Sequence, residues 1–320
     1  MRPPAVLWLV SPIFVLLVGI SCGGSTSQGR IVYVTCPSSV TCDFVAVDSD
    51  GSNRQRLFSL EVEEGDTPLL PQCSPDGGEI VYFLSVGQRT SIFKANLDGS
   101  QIVELTPDFG AVDPAWSPDG SRIVFSASAP DPAQPQLWVM NSDGSEAHPI
   151  TSDRVFNLVP AWSPDGGSIA FASDGTEGPA DPADVWIVSA DGADPRPLIT
   201  GAANDRQPAW SPDGQTLAFT RVEGEPGVIG TAGSGGQVFL ATDSGQDIRP
   251  LTAGGPRKFL PRWSPDGEQI AFSTAPDSGE PFGMRDRRFQ VYVIGAGGDG
   301  QRMLTDEPNG AHFATWCPNP

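Results

Sequence analysis

A seven-residue phrase recurs along this chain and constrains its fold more than any other feature. The phrase PAWSPDG stands at 114–120, 160–166 and 208–214, with the variants PRWSPDG at 261–267 and PQCSPDG at 71–77. Its serines, followed by the cysteine of the closing ATWCPNP, are 43, 46, 48, 53 and 53 residues apart. A period of about 40–50 residues in a chain with few helix signals is typical of propeller blades, in which each repeat forms one four-stranded sheet.

Each repeat reads as four short strands joined by turns. In the third repeat the strands are predicted at 112–116, 122–128, 136–141 and 146–151, with the turns SPDG and SDG between them. Pro and Gly supply the fixed and the permissive φ that such turns need. We expect the Asp of SPDG to accept backbone N–H groups of its own turn, and the Trp of the phrase to fill the space between neighbouring sheets. The phrase is therefore predicted to build the fold rather than to perform chemistry.

The two ends of the chain complement each other. The N-terminal region supplies a second, a third and a fourth strand, beginning with RIVYVTC, and the C-terminal HFATWC supplies a first strand. We predict an all-β fold over residues 30–320, a six-bladed β-propeller of four-stranded antiparallel blades. The C-terminal strand joins the three N-terminal strands and closes the ring, which leaves no long free sheet edge.

The first residues are predicted to lie outside the propeller. The apolar run at 5–20 reads as an export signal, and VGISC, ending at Cys22, resembles a bacterial lipobox, in which cleavage leaves a lipidated cysteine. Gly19 departs from the large aliphatic residue usual in that box, and a plain secretory signal is the alternative. We assign 1–22 as a signal peptide with a lipobox-like end and 23–29 as a flexible tether.

The remaining four cysteines are expected to pair, because an exported protein meets an oxidising compartment. Cys36 and Cys42 flank one hairpin at one end of a sheet, whereas Cys73 and Cys317 lie near the Trp-Ser step of two adjacent blades, toward the other end. A six-residue strand separates the two ends by about 20 Å, and a disulfide needs Cα atoms within about 7 Å. We therefore predict the pairs Cys36–Cys42 and Cys73–Cys317. Four reduced thiols are the alternative.

The repeat PxWSPDGxxIaF, with a later xDG turn and a closing Leu-Thr, resembles the TolB-type propeller repeat, also called the WD40-like β-propeller repeat. The resemblance covers residues 29–320 and is specific for the fold but not for function. The N-terminal α/β domain of TolB is not expected here, nor is the hydrolase domain of prolyl-oligopeptidase-like enzymes. The resemblance implies an extracytoplasmic binding scaffold. With the lipobox-like end at Cys22, we expect it in the periplasm or at the cell surface, where it meets the membrane only through a lipid anchor.

Charge and motif content narrow the classes of function. A net charge of −20 argues against nucleic acid as a partner, because such a surface repels phosphates. The chain has two histidines, no HExxH or CxxC motif, and no GxSxG motif within the predicted propeller, so we expect no enzyme, no cofactor and no metal site. DSDGSN at 48–53 has the look of a calcium loop, but its recurrence between third and fourth strands indicates a hairpin turn.

Polar residues that differ between blades are the candidate binding residues. We expect them in the loops ahead of the innermost strands, at the mouth of the central channel, where they would make an asymmetric pocket. They are Asp66, Asp113, Asn157, Asp205, Arg206, Lys258 and His312. Ordinary solvated loop residues are the alternative. Two insertions are predicted as solvated loops, the glycine-rich 224–236 and the arginine-bearing 278–289, and the second offers a docking point for an anionic partner.

The predicted protein is a monomeric, non-enzymatic component of the cell envelope, whose propeller face binds a protein or a peptide. The alternative is a propeller hydrolase or lyase, or a small-ligand binder, that works in the central channel.

Overall fold

The fold is described by a computed structural model. The described residues are 29–64, 66, 68–86, 89–107, 109–128, 135–152, 156–174, 183–201, 203–223, 236–275 and 288–319. The expected signal peptide with Cys22, most of the tether and most of both insertions lie outside the described residues. No helix in the described part of the chain has the length and apolar character needed to cross a membrane.

The strands fall into four classes by their place in the repeat. The first, innermost strands are β4 (Leu69–Cys73), β8 (Ala111–Trp116), β12 (Asn157–Trp162), β16 (Asn204–Trp210), β20 (Arg257–Trp263) and β24 (His312–Cys317). The second strands are β1 (Arg30–Thr35), β5 (Glu79–Val86), β9 (Arg122–Ala127), β13 (Ser168–Ser173), β17 (Thr216–Val222) and β21 (Gln269–Ala275). The third strands are β2 (Thr41–Val47), β6 (Arg89–Asn96), β10 (Gln136–Asn141), β14 (Asp184–Ser189), β18 (Gln237–Thr242) and β22 (Gln290–Gly295). The outermost strands are β3 (Gln55–Glu61), β7 (Val103–Glu104), β11 (His148–Pro149), β15 (Arg196–Ile199), β19 (Arg249–Pro250) and β23 (Arg302–Met303).

These strands form six antiparallel sheets, numbered here as blades 1 to 6 along the chain. Blade 1 has the order β24-β1-β2-β3, with Ile31 opposite Trp316, so the C-terminal strand completes the first blade. Each innermost strand packs against the next, from β4 through β8, β12, β16 and β20 to β24 and back to β4. The predicted six-bladed ring and its closure are confirmed, and blades 3 and 6 lie opposite each other across the axis.

Every innermost strand contains a β-bulge at the same position. Two residues of the bulge lie opposite one aromatic of the second strand, as Asp113 and Pro114 lie opposite Phe125. The first bulge residue is left-handed in all six blades, with φ between 47° and 57°. These residues are Leu70, Asp113, Val159, Gln207, Leu260 and Phe313. Five of them directly precede the Pro of the repeated phrase. Proline suits a bulge because it has no N–H group to contribute to the hydrogen bonds between the strands.

The SPDG turn is held by its own side chains. In blade 3, the Ser117 hydroxyl donates to Asp119 Oδ1 at 2.6 Å and accepts the Arg122 N–H at 2.9 Å. Asp119 Oδ1 also accepts the Ser121 N–H at 3.0 Å. The same three bonds recur in blades 2, 4, 5 and 6. The Asp caps its own turn, as predicted from the sequence.

The tryptophans of the phrase lie between blades. Trp116 belongs to blade 3 but packs with Val81 and Ile92 of blade 2, and its Nε1 donates to the Gln72 carbonyl at 3.3 Å. Trp263 and Trp316 likewise donate to carbonyls of the preceding blade, at 3.1 and 3.0 Å. The prediction that these rings fill the space between sheets is therefore confirmed.

Two disulfides fix the N-terminal blade and the closing strand. Cys36 is joined to Cys42 across the hairpin between β1 and β2, with Cα atoms 4.0 Å apart. Cys73 of β4 is joined to Cys317 of β24, with Cα atoms 5.2 Å apart and a sequence separation of 244. These are the two pairs that the sequence predicts, and the second ties the closing strand to blade 2.

Candidate functional site

Six of the seven predicted mouth residues lie inside innermost strands rather than in loops. Asn157 and His312 begin their strands, and Asp113, Asp205, Arg206 and Lys258 follow within theirs. Asp113 and His312 lie in strands that the repeat pattern itself predicts, at 112–116 and in HFATWC. The prediction of loop positions is wrong for the other four, because strand pairing resumes beyond the bulge, as in the pairing of Asp205 with Arg221 and of Lys258 with Thr274. Asp66 alone lies outside a strand, and it is half-buried.

The Lys258 ammonium is hydrogen-bonded to three nearby oxygen atoms. Lys258 is 2% exposed, and its Nζ donates to Gln237 Oε1 and the Pro256 carbonyl, both at 3.0 Å, and to the Gly254 carbonyl. Desolvation lowers the pKa of this ammonium. All three donor positions of the ammonium are used, so Lys258 organises the loop before β20 instead of presenting a charge to solvent.

Asn157 and Asp205 have comparable internal partners. The Asn157 amide donates to Gln136 Oε1 and Thr151 Oγ1, both at 3.3 Å. Both Asp205 oxygens accept from Arg221, at 2.7 Å each, and Asp205 is fully buried. A buried bidentate pair of this kind is a structural element of blade 5.

Arg206 and His312 are also buried. Arg206 Nη2 donates to Asn204 Oδ1 at 3.1 Å, and its charge faces Asp174. Desolvation raises the pKa of Asp174 to about 6, against the pull of that guanidinium. The His312 ring lies 5.0 Å from the ring of Phe289. The seven predicted residues therefore do not form one solvated pocket.

The surface that remains at this end of the propeller is more apolar than expected. Four half-buried residues lie at the end of the innermost strands that is away from the SPDG turns. Each stands four positions before the Trp position of its blade. They are Leu69, Val112, Leu158 and Phe259, called the rim residues below. Partly buried apolar side chains on a rigid concave support are a common basis for binding.

The channel contains a pair of charges that the sequence only partly indicates. Asp113 accepts the Val159 N–H of the next blade through Oδ2 at 3.1 Å. Desolvation raises the pKa of Asp113 to about 6, and that bond and the charge of Arg262 oppose the increase. Desolvation lowers the pKa of Arg262 to about 10, opposed by Asp113. Arg262 is the residue that changes PAW into PRW in blade 6, and this departure from the repeat was the available signal.

Gln207 occupies the position of Asp113 in blade 5 and makes the equivalent bond. Its Oε1 accepts the Leu260 N–H of the following blade at 2.9 Å and the Thr220 hydroxyl at 2.9 Å. The bulge thus turns a side chain toward the next blade at the channel wall. In the part of the chain that the structure describes, no group of three or more His, Cys, Asp or Glu residues is arranged to hold a metal ion.

Comparisons with known proteins place this arrangement among propellers. Residues 23–180 match the family model for the TolB beta propeller domain. The Tol-Pal system protein TolB of Anaeromyxobacter dehalogenans is 33% identical over 118 residues, which is 37% of this chain and 26% of that protein. The match therefore spans about a quarter of that curated relative.

Two solved structures show how widely the fold is used. TolB from Acinetobacter baumannii has a TM-score of 0.70 and 19% identity, over 92% of this chain and 67% of that one. An oligogalacturonate lyase from Vibrio parahaemolyticus has a TM-score of 0.54 and 14% identity, over 88% and 83%. At such identities the likeness shows the fold alone.

Proposed function

Since this chain is a six-bladed β-propeller protein of the TolB type, we propose that it is a non-enzymatic, extracytoplasmic scaffold that binds a protein or a peptide at the cell envelope. The partial likeness to a Tol-Pal system protein supports an envelope role. Two disulfides in a chain of this size support an oxidising compartment. Lipidation of Cys22 is part of the proposal and supplies the contact with the membrane.

The observation that carries the proposal is the set of rim residues. Leu69, Val112, Leu158 and Phe259 come from four different blades, and each is half-buried. Their backbones are held by strands that pair on both sides of the bulge, so the surface is rigid before a partner arrives. A rigid apolar surface loses little conformational entropy on binding, which favours a protein or peptide contact.

Photo-crosslinking of the full chain, expressed in its own cells, tests which end of the propeller binds the partner. A benzophenone amino acid at Leu158 or Phe259 is expected to give a discrete adduct. The same group at Ile248, an exposed apolar residue near the opposite end, is the matched control and is expected to give none. Leu158→Arg should abolish the adduct formed from position 259, whereas Ile248→Arg should leave it unchanged.

The two parts of the proposal fail separately. Equal adducts at both ends, or none at the rim, would contradict binding through the rim. Fractionation of the Cys22→Ser variant tests the anchor, because the variant is expected to leave the membrane fraction while keeping its adduct. Retention of that variant in the membrane fraction would exclude Cys22 as the anchor.

A further inference from the structure

Two opposite charges face one another inside the ring. Asp113 lies in β8 and Arg262 in β20, and these strands oppose each other across the axis. Both side chains are half-buried, although the six blades enclose them on all sides. They therefore line the channel itself, and no salt bridge joins them directly.

Both groups keep most of their hydrogen-bonding capacity within the described part of the chain. The Arg262 guanidinium has five N–H groups, and its hydrogen bond there runs from Nη1 to the Pro261 carbonyl of its own strand, at 3.0 Å. The Asp113 carboxylate accepts the Val159 N–H through one oxygen. Desolvated charges that lack a direct partner destabilise a fold, so stability alone does not explain this pair.

The residue before the Trp position sets blade 6 apart from the other blades. The residue before the Trp is alanine in blades 3, 4 and 5, at Ala115, Ala161 and Ala209, and threonine in blade 1. Blade 2 has Gln72 there, so among the six innermost strands only β20 carries a charged residue at this position.

We propose that the central channel binds one small zwitterion of the amino-acid class, with its carboxylate on Arg262 and its ammonium on Asp113. The two protein charges sum to zero, so a ligand whose own charges sum to zero leaves no net charge in a desolvated site. An anion alone would leave Asp113 without a partner, and a cation alone would do the same to Arg262. A guanidinium matches a carboxylate bidentately, which sets the orientation.

The proposal does not rest on protein binding at the rim. It concerns the interior of the ring, and its test uses purified full-length chain and defined small molecules. Failure of the rim experiments leaves this test unaffected, and the reverse also holds.

Titration of the protein with glycine and L-alanine, against acetate and methylammonium, is the experiment. Isothermal titration calorimetry gives the affinity, and NMR of the arginine Nε–Hε groups identifies the site. We expect one amino acid per chain, a saturable shift of the Arg262 signal, and binding of acetate and methylammonium weaker by about tenfold or more.

Three variants at the proposed site and one control variant sharpen the result. Arg262→Gln and Asp113→Asn should each weaken amino-acid binding by about tenfold or more, while Arg262→Lys should retain part of it. Arg56→Gln, at an exposed arginine on β3, is the matched control and should bind like the parent. If Asp113→Asn fails to fold, the comparison of glycine with acetate on the parent chain still decides the role of Asp113.

Two results would overturn the proposal. The first is the absence of saturable binding by either amino acid at the highest soluble concentration. The second is binding that acetate reproduces at equal affinity or that survives Arg262→Gln.

Discussion

At the scale of single residues, most of the polar groups near the channel stabilise the blades. Lys258, Asn157 and Asp205 each have internal partners within 3.3 Å that account for their charge or amide. Asp113 and Arg262 differ, because each is desolvated and neither is directly paired with the other. Arg262 therefore lies where the repeat is broken, whereas the repeated residues build the scaffold.

The raised pKa of Asp113 predicts that the folded state loses stability as pH rises. The folded-state pKa of about 6 lies above the ordinary value of 3.8, so the folded state binds the proton more tightly, and the contribution of Asp113 to stability falls as pH rises from about 4 to about 6. The Asp113→Asn variant lacks this fall. We therefore expect the difference in free energy of unfolding, variant minus parent, to increase by roughly 3 kcal/mol between about pH 4 and about pH 6. Urea unfolding at several pH values measures this difference. A difference that does not change with pH would show that Asp113 is not desolvated.

The ion pair between Asp205 and Arg221 predicts a large loss on truncation. Asp205→Ala leaves a guanidinium in blade 5 without its bidentate partner, and we expect a loss of about 3–5 kcal/mol in the free energy of unfolding. The more exposed pair of Lys94 and Glu79, 2.9 Å apart, is the control, and Glu79→Ala should cost less than about 1 kcal/mol. Similar losses for the two variants would contradict the structural role of Asp205.

At the scale of elements, the SPDG turn is the unit that repeats most faithfully. Ser117 is 1% exposed and serves both Asp119 and the Arg122 N–H. The Ser117 hydroxyl is the first cause of the low pKa of Asp119, about 2, followed by the N–H and the hydroxyl of Ser121. The turn therefore combines one buried hydroxyl with an ionised, largely solvated carboxylate.

Removal of that hydroxyl should be costly, because it leaves a backbone N–H without its acceptor. Ser117→Ala is expected to lower the free energy of unfolding by about 1–3 kcal/mol at pH 7. Ser121→Ala, which removes an exposed hydroxyl bound to the same carboxylate, is the matched control and should cost about 0.5 kcal/mol or less. Tryptophan fluorescence during urea unfolding measures both, and equal losses would argue against the buried hydroxyl as the main support of the turn.

The sequence predicts the blades, the ring closure and the Trp contacts, because their residues recur at fixed places in the repeat. The bulge could not be predicted from residue type, since its left-handed position holds Leu, Asp, Val, Gln, Leu and Phe in turn. The bulge also explains why the predicted mouth residues lie in strands, because pairing continues beyond it. Arg262 was visible as a departure from PAW, but its opposition to Asp113 depends on blades 3 and 6 facing each other.

At the scale of the whole molecule, stability depends on how the ring is closed. Three features hold the ring closed. They are the sheet pairing of β24 with β1, the Cys73–Cys317 disulfide and the hydrogen bonds of the Glu307 carboxylate. Glu307 Oε1 accepts from Tyr33 and from Arg54 of blade 1, at 2.6 Å each. The closing strand is thus tied to both of the blades that it touches in the N-terminal half.

The two disulfides should differ in what they contribute. By the chain-entropy model, a bridge that spans 244 residues stabilises by about 5 kcal/mol, and one that spans 6 residues by about 2 kcal/mol. The double variant Cys73→Ser with Cys317→Ser should therefore lose more stability than Cys36→Ser with Cys42→Ser. Urea unfolding without reductant gives both values, and a larger loss for the short bridge would contradict the predicted order.

Peptide mass spectrometry of the non-reduced protein, isolated from its own cells with thiols blocked at lysis, tests the central claim most directly. That claim is a closed six-bladed ring in an oxidising compartment. We expect two cross-linked peptide pairs, Cys36 with Cys42 and Cys73 with Cys317. Free thiols at Cys73 and Cys317, or crossed pairs between the two ends of the blades, would contradict it.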